Sequence, residues 1–119
     1  MPFKLRAPRL KVSENDVEKA CRDVLNLRGY RLHRLHCGKA RFPDGTWVQL
    51  EEQGMPDWLC VHPAHPAFYL ETKAPGGALS PAQRWMHKIL SAWRLPVVVV
   101  DDAMQLVAWL REHEEPTRR

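Results

Sequence analysis

The stretch Phe68-Tyr69-Leu70-Glu71-Thr72-Lys73 reads as a β-strand. Successive side chains of a strand point to opposite faces. Phe68 and Leu70 therefore share one face, which is expected to pack against the core. Tyr69, Glu71 and Lys73 share the other, so a carboxylate and an ammonium stand side by side. Pro56-Asp57, on the preceding strand-like run, adds a second carboxylate. A hard cation such as Mg²⁺ takes carboxylate and carbonyl oxygens and keeps several waters. Asp57 and Glu71 offer carboxylates, and Thr72 offers a backbone carbonyl between Glu71 and Lys73. Hydrolysis of a phosphodiester needs a metal to neutralise developing charge and a group to position or deprotonate water. Lys73 is placed for the second role.

The flanking segments give the order helix–strands–helix–strand–helix, which argues an α/β fold with a mixed central sheet and helices on its faces. Residues up to about Val12, with Pro2 and Pro8, read as an extended arm. Ser13 begins a helix with Asp16 as its capping-box partner, and Val17, Ala20, Cys21, Val24 and Leu25 recur at helical spacing until Gly29 ends it. Strands are expected over residues 30–36, 47–50, 57–61 and 67–73, with Pro43-Asp44-Gly45 as a turn. Ser80 caps a second helix, with Pro81 in its first turn. That helix is expected to bury Ala82, Met86, Ile89, Leu90 and Trp93. Val97-Val98-Val99-Val100 has the continuous apolar character of a central buried strand. A last helix over residues 103–111 buries Ala103, Leu106, Val107 and Leu110, and residues 114–119 read as a frayed tail. There are no internal repeats.

With 119 residues the chain has room for one modest core. It contains 45% hydrophobic and 27% charged residues, ordinary for a globular domain. No apolar run has the length of a membrane span, and the N-terminus lacks a signal-peptide core. Three cysteines without framework spacing suit a reducing compartment, so a cytoplasmic location and no membrane partner are expected. The net charge of +4 favours a polyanionic partner, although a solvated surface with a slight basic excess explains it equally. Lys4, Arg6, Arg9 and Lys11 make the arm basic. Arg28, Arg31, Arg34, Lys39 and Arg41 follow as a second cluster. The arm residues with Arg34, Lys39 and Arg41 are the candidates for contacts to DNA phosphates.

Each candidate has an ordinary reading beside the chemical one. Asp57 after Pro56 can simply open a strand, and Glu71 with Lys73 can be a surface pair. Glu14 falls on a helical wheel within the arc of Cys21 and Leu25, with Glu18 at its edge. A carboxylate turned toward a sheet is costly unless paired or metal-bound, but Glu14 also serves a helix dipole in the first turn. Ser80, Pro81 and Gln83 form a capping box that explains all three. His33, His36, Cys37, Cys60, His62 and His65 suggest zinc, yet their spacing matches no standard finger or ribbon. Most of the tryptophans are expected in the core, with Trp47 and Trp85 the ones expected at the surface for base or sugar contact.

Asp57 with Glu71-x-Lys73 resembles the core motif of the PD-(D/E)XK nucleases. The ordered set of Ser13-Glu14, Gly54-Met55-Pro56-Asp57 and Gly76-Gly77-Ala78-Leu79-Ser80-Pro81-Ala82-Gln83 resembles one branch, the virus-type replication-repair nuclease (VRR-NUC) domain. The valine run and a short closing helix complete the pattern over residues 13–110, within a domain expected to span residues 13–113. The bare Asp…Glu-x-Lys motif is weak, and the ordered set is more specific.

The resemblance implies a restriction-endonuclease-like core and a Mg²⁺- or Mn²⁺-dependent DNA endonuclease leaving 5′-phosphate and 3′-hydroxyl ends. It implies selectivity for branched DNA or four-way junctions, whose symmetry asks for a homodimer. It implies metal binding by Asp57, Glu71 and the Thr72 carbonyl, Lys73 at the reacting centre, and Gln83 lining the site to orient Lys73 or the attacking water. The family places its helix acid directly after the starting Ser, which matches Glu14, and many relatives carry Gln at position 18. Glu14 is therefore the expected third acid, with Glu18 in reserve. Two other classes stand beside this one: a nuclease-fold DNA-binding module that does not cut, and a small zinc-binding structural protein.

Overall fold

The computed structural model describes residues 11–35, 38–51 and 54–114. Its elements run α1 (Glu14–Leu27), β1 (Arg31–Arg34), β2 (Gly38–Arg41), β3 (Trp47–Glu51), β4 (Trp58–Val61), β5 (Phe68–Thr72), α2 (Pro81–Ala92), β6 (Val97–Val100) and α3 (Ala103–His113). Four strands form a mixed sheet in the order β1-β4-β5-β6, antiparallel except for the parallel β5–β6 pair. The expected α/β class with a mixed sheet and flanking helices is what the chain adopts.

Register explains the core. Trp58 lies opposite Leu70, and Leu70 opposite Val98; Cys60 pairs with Phe68 and Thr72 with Val100. These positions project to one face, where Val17, Cys21 and Leu25 of α1 meet Leu106 and Leu110 of α3. Leu70 is fully buried, so truncating it to Ala would cost about 2–5 kcal/mol. The other face carries Glu71 and is covered by α2, which buries Met86, His87 and Leu90.

α1 begins as expected, with Ser13 and Asp16 exchanging capping-box bonds of 2.9 and 3.1 Å. It ends with Gly29 at φ 86° and Tyr30 N–H donating to Leu25 O at 3.0 Å. That bond closes the C-terminal turn on a carbonyl that also accepts from Arg28 N–H at 3.1 Å. No helix among the described residues is long and apolar enough to cross a membrane.

Several expectations need correction. β6 is an edge strand of the four-stranded sheet rather than a central one, and Val99 is exposed on it. Trp93 is 69% exposed rather than buried, because it is the C-cap of α2 and Arg94 turns the chain away at φ 61°. Ala82 and Ile89 are half-buried. The hairpin partner β2 was not foreseen; it pairs with β3 as a separate two-stranded sheet. Glu114 is not frayed. Its carboxylate takes a bond from Arg28 and meets His65 Nε2 at 3.0 Å. The arm positions Lys4, Arg6 and Arg9, the tail beyond Glu114, and His36 and Cys37 lie outside the described residues.

Candidate active site

The site forms at one end of the sheet, where β5 finishes, β4 starts and the first turn of α2 arrives. Gly54 makes this arrival possible. It sits at φ 94°, and a Cβ there would lie 2.3 Å from the Ala82 carbonyl oxygen, so only glycine lets the segment before Asp57 press onto α2. Pro56 is buried in the same segment.

Asp57 and Glu71 are bound to each other's backbone neighbourhoods. Asp57 N–H donates to Glu71 Oε2 at 3.1 Å. Thr72 N–H and Oγ1 donate to Asp57 Oδ2 at 3.1 and 3.3 Å. The two carboxylates are thus held at the junction of two paired strands by groups the sheet itself fixes.

Gln83 joins the rest. Its amide nitrogen donates to Glu71 Oε1 at 2.7 Å, and its Oε1 accepts from Lys73 Nζ at 2.9 Å and from Ser80 N–H at 2.9 Å. Lys73 Nζ stands 3.7 Å from Glu71 Oε1. The expected capping box is present, and the same side chain also bonds Lys73. Ser80 Oγ accepts from Gln83 N–H and closes the cap.

Glu71 is 1% exposed, an extreme position for a carboxylate. Burial, then the Asp57 carboxylate, pushes its carboxyl up to about 7. Lys73 and the Asp57 N–H oppose the shift, and Glu14 adds to it. Glu14, expected to turn toward the sheet, is exposed in the first turn of α1 and is the weakest of these influences. Glu18, its alternative, accepts instead from Arg34 at 3.0 Å. Arg34 also lies over the Trp58 ring, 5.2 Å from its centroid. Lys11 and Arg41 are exposed, and Lys39 lies on β2.

Sequence reasoning missed two neighbours of the centre. His87 is one helical turn beyond Gln83 on the same face of α2. Its ring is buried, with Nε2 unpartnered among the described residues. Its pKa is lowered by burial first and by the Lys73 charge next, with Asp57 opposing. Spacing from Gln83 was the available signal. Asp101 follows β6 and lines a cleft of about 200 Å³ with Lys73, Gly77 and Gln105. Its Oδ2 accepts from Gly76 N–H at 3.2 Å, fixing the loop after Lys73.

The zinc grouping does not assemble among the described residues. Cys60 is in the core, where burial pushes its thiol up to about 12. His62 Nδ1 accepts from Ala64 N–H at 2.9 Å, so Nε2 carries the proton that it gives to Arg28 O at 3.0 Å. His65 is taken by Glu114. No three His, Cys, Asp or Glu side chains among the described residues converge as a metal-binding group.

What does converge is a pair of acids of like charge, one deeply buried, beside an anchored ammonium. No protein-family model and no curated protein matches the chain.

Proposed function

We propose that the protein is a Mg²⁺- or Mn²⁺-dependent endodeoxyribonuclease with a restriction-endonuclease-like core, acting as a homodimer on branched or junction DNA. The observation that carries this reading is the Asp57–Glu71–Gln83–Lys73 network. It holds two carboxylates together in spite of their mutual repulsion and fixes an ammonium beside them. The donor set fits a hard cation. Mg²⁺ characteristically takes one or two carboxylates and completes its shell with water and substrate phosphate, so a third protein acid is not required. Repulsion between Asp57 and Glu71 is a cost that a cation between them removes.

Asp57, Glu71 and the Thr72 carbonyl would hold the ion, with Glu14 reaching it directly or through water. Such an ion supplies charge neutralisation at the phosphate and acidifies water. Lys73, restrained by Gln83 Oε1, orients the attacking water or holds the phosphate oxygen on which charge grows. Water attacks phosphorus in line, the P–O3′ bond breaks, and the departing O3′ takes up a proton. The products are a 5′-phosphate and a 3′-hydroxyl. Lys11, Lys39 and Arg41, with Lys4, Arg6 and Arg9 of the arm, supply phosphate contacts that do not depend on sequence. A two-fold dimer would match two sites to a four-way junction.

The test is a labelled panel of single strand, duplex, 5′ flap, splayed arm and four-way junction, incubated with Mg²⁺, Mn²⁺ or EDTA. Cutting that requires metal and leaves 5′-phosphate ends supports the reading, and the preferred substrate names the class. Binding without cutting under every metal would replace it with a non-catalytic DNA-binding module.

A further inference from the structure

Between Lys73 and Val100 the chain contains no Asp or Glu, while Lys73, Arg84, Lys88 and Arg94 carry positive charge. α2 runs through this stretch with Met86, His87 and Leu90 turned inward. Its outer face carries Trp85, which is 65% exposed. Tryptophan is usually well buried, so an indole left on a helix surface is informative. Pro81, Arg84, Trp85 and Lys88 line a shallow depression of about 320 Å³ around it. Pro81 with Trp85, Trp85 with Lys88 and Arg84 with Lys88 are three or four residues apart, so they are surface neighbours.

These two cations differ from others in the molecule. Arg28 and Arg34 are each paired with a glutamate. Among the described residues neither Arg84 nor Lys88 pairs with a carboxylate. Arg84 makes only a 3.4 Å bond to the Leu79 carbonyl. A flat apolar ring between two uncommitted cations, in a stretch without acids, complements a polyanion that carries aromatic bases. Duplex bases already stack on one another, so an exposed indole gains most from a base that is unpaired. Trp85 follows Gln83 by two residues. At about 100° per residue this sets the indole on the opposite side of α2 from the Gln83 side chain, so a strand leaving the catalytic end meets it by passing around the first turn of the helix.

We propose that this depression holds an unpaired base of single-stranded DNA stacked on Trp85, with Arg84 and Lys88 on the adjoining phosphates. This rests on the reading of the Asp57–Glu71–Lys73 centre as a DNA-cutting site, and it narrows the substrate to DNA with unpaired nucleotides beside the cut.

The experiment is anisotropy binding of a labelled oligothymidylate and of a blunt duplex of equal length to the full chain in EDTA. Wild type is compared with Trp85→Ala, Trp85→Phe and the double variant Arg84→Ala/Lys88→Ala. Trp85→Ala should weaken single-strand binding by between about fivefold and a hundredfold. It should change duplex binding by less than about twofold, and Trp85→Phe should recover most of the loss. The double variant should flatten the dependence of log affinity on log salt by about 1.4 on the single strand. Unchanged single-strand binding by Trp85→Ala, or equal weakening of both DNAs, would overturn the proposal. Because the assay contains no metal, a chain that stacks but never cuts leaves the Trp85 base site standing and removes the nuclease reading together with the narrowing of its substrate.

Discussion

Lys73 Nζ donates to Gln83 Oε1 at 2.9 Å, tying the residue that follows β5 to the first turn of α2. The same oxygen takes the Ser80 N–H, so helix capping and placement of the ammonium depend on one atom. Gln83→Ala should therefore lower the single-turnover cleavage rate by roughly ten- to a hundredfold and destabilise the fold by about 1 kcal/mol through the lost cap. Gln83→Glu keeps both bonds to Oε1 but sets a second carboxylate against Glu71 Oε1. It should melt lower than wild type at pH 8, and the gap should narrow at pH 5. A Gln83→Glu protein as stable as wild type at pH 8 would contradict the geometry.

The raised carboxyl of Glu71 fixes a sign for pH dependence. The folded chain keeps that proton to about pH 7, whereas an unperturbed carboxyl loses it near 4.5. Stability from this group is therefore lost as pH rises through that window. His87 acts oppositely: held neutral in the fold, it costs stability as pH falls below about 6.5. Comparing Glu71→Gln with wild type at each pH cancels His87. Measured by urea unfolding without metal, the stability of Glu71→Gln relative to wild type should rise from pH 5 to pH 8, by up to about 3 kcal/mol. Added Mg²⁺ at pH 8 should raise the wild-type midpoint more than that of the variant.

Gly54 offers a structural check on how the site is assembled. Gly54→Ala combines a positive φ with a clash against the Ala82 carbonyl, and should cost more than about 3 kcal/mol. Gly76→Ala shares the positive φ of 77° but meets nothing within 4 Å. It should cost only about 1 kcal/mol. Thermal melts of the two variants separate the clash from the backbone strain. Equal losses would mean that Gly54 is not pressed onto α2.

Much of this arrangement was legible in the chain because it is written in local rules. The alternation in residues 68–73 assigned Phe68 and Leu70 to the core, and the Ser80-Pro81-x-Gln83 cap placed α2 beside Lys73. What local rules do not carry is which neighbour an element meets. Four valines specify strand character and apolar surroundings but not sheet order, so β6 was expected in the centre and lies at the edge. β2 has Gly38 and Lys39 where apolar alternation would be read, and the turn after it supplies the pairing. Trp93 stands at helical spacing from Leu90, but Arg94 adopts the left-handed geometry normally given to glycine and swings it outward. Glu14 and Glu18 share one side of α1. In the fold they differ in that Glu14 is exposed, whereas Glu18 is half-buried and accepts from Arg34 of β1.

One experiment bears most directly on the nuclease reading: single-turnover cleavage of a four-way junction and a 5′ flap with Mg²⁺ by wild type, Asp57→Ala and Lys73→Ala, with binding of each measured in EDTA. Both variants should bind the DNA within a few-fold of wild type and cut it at least about a hundredfold more slowly. A Lys73→Ala protein that cuts as fast as wild type would contradict the assignment of the Asp57–Glu71–Lys73 centre.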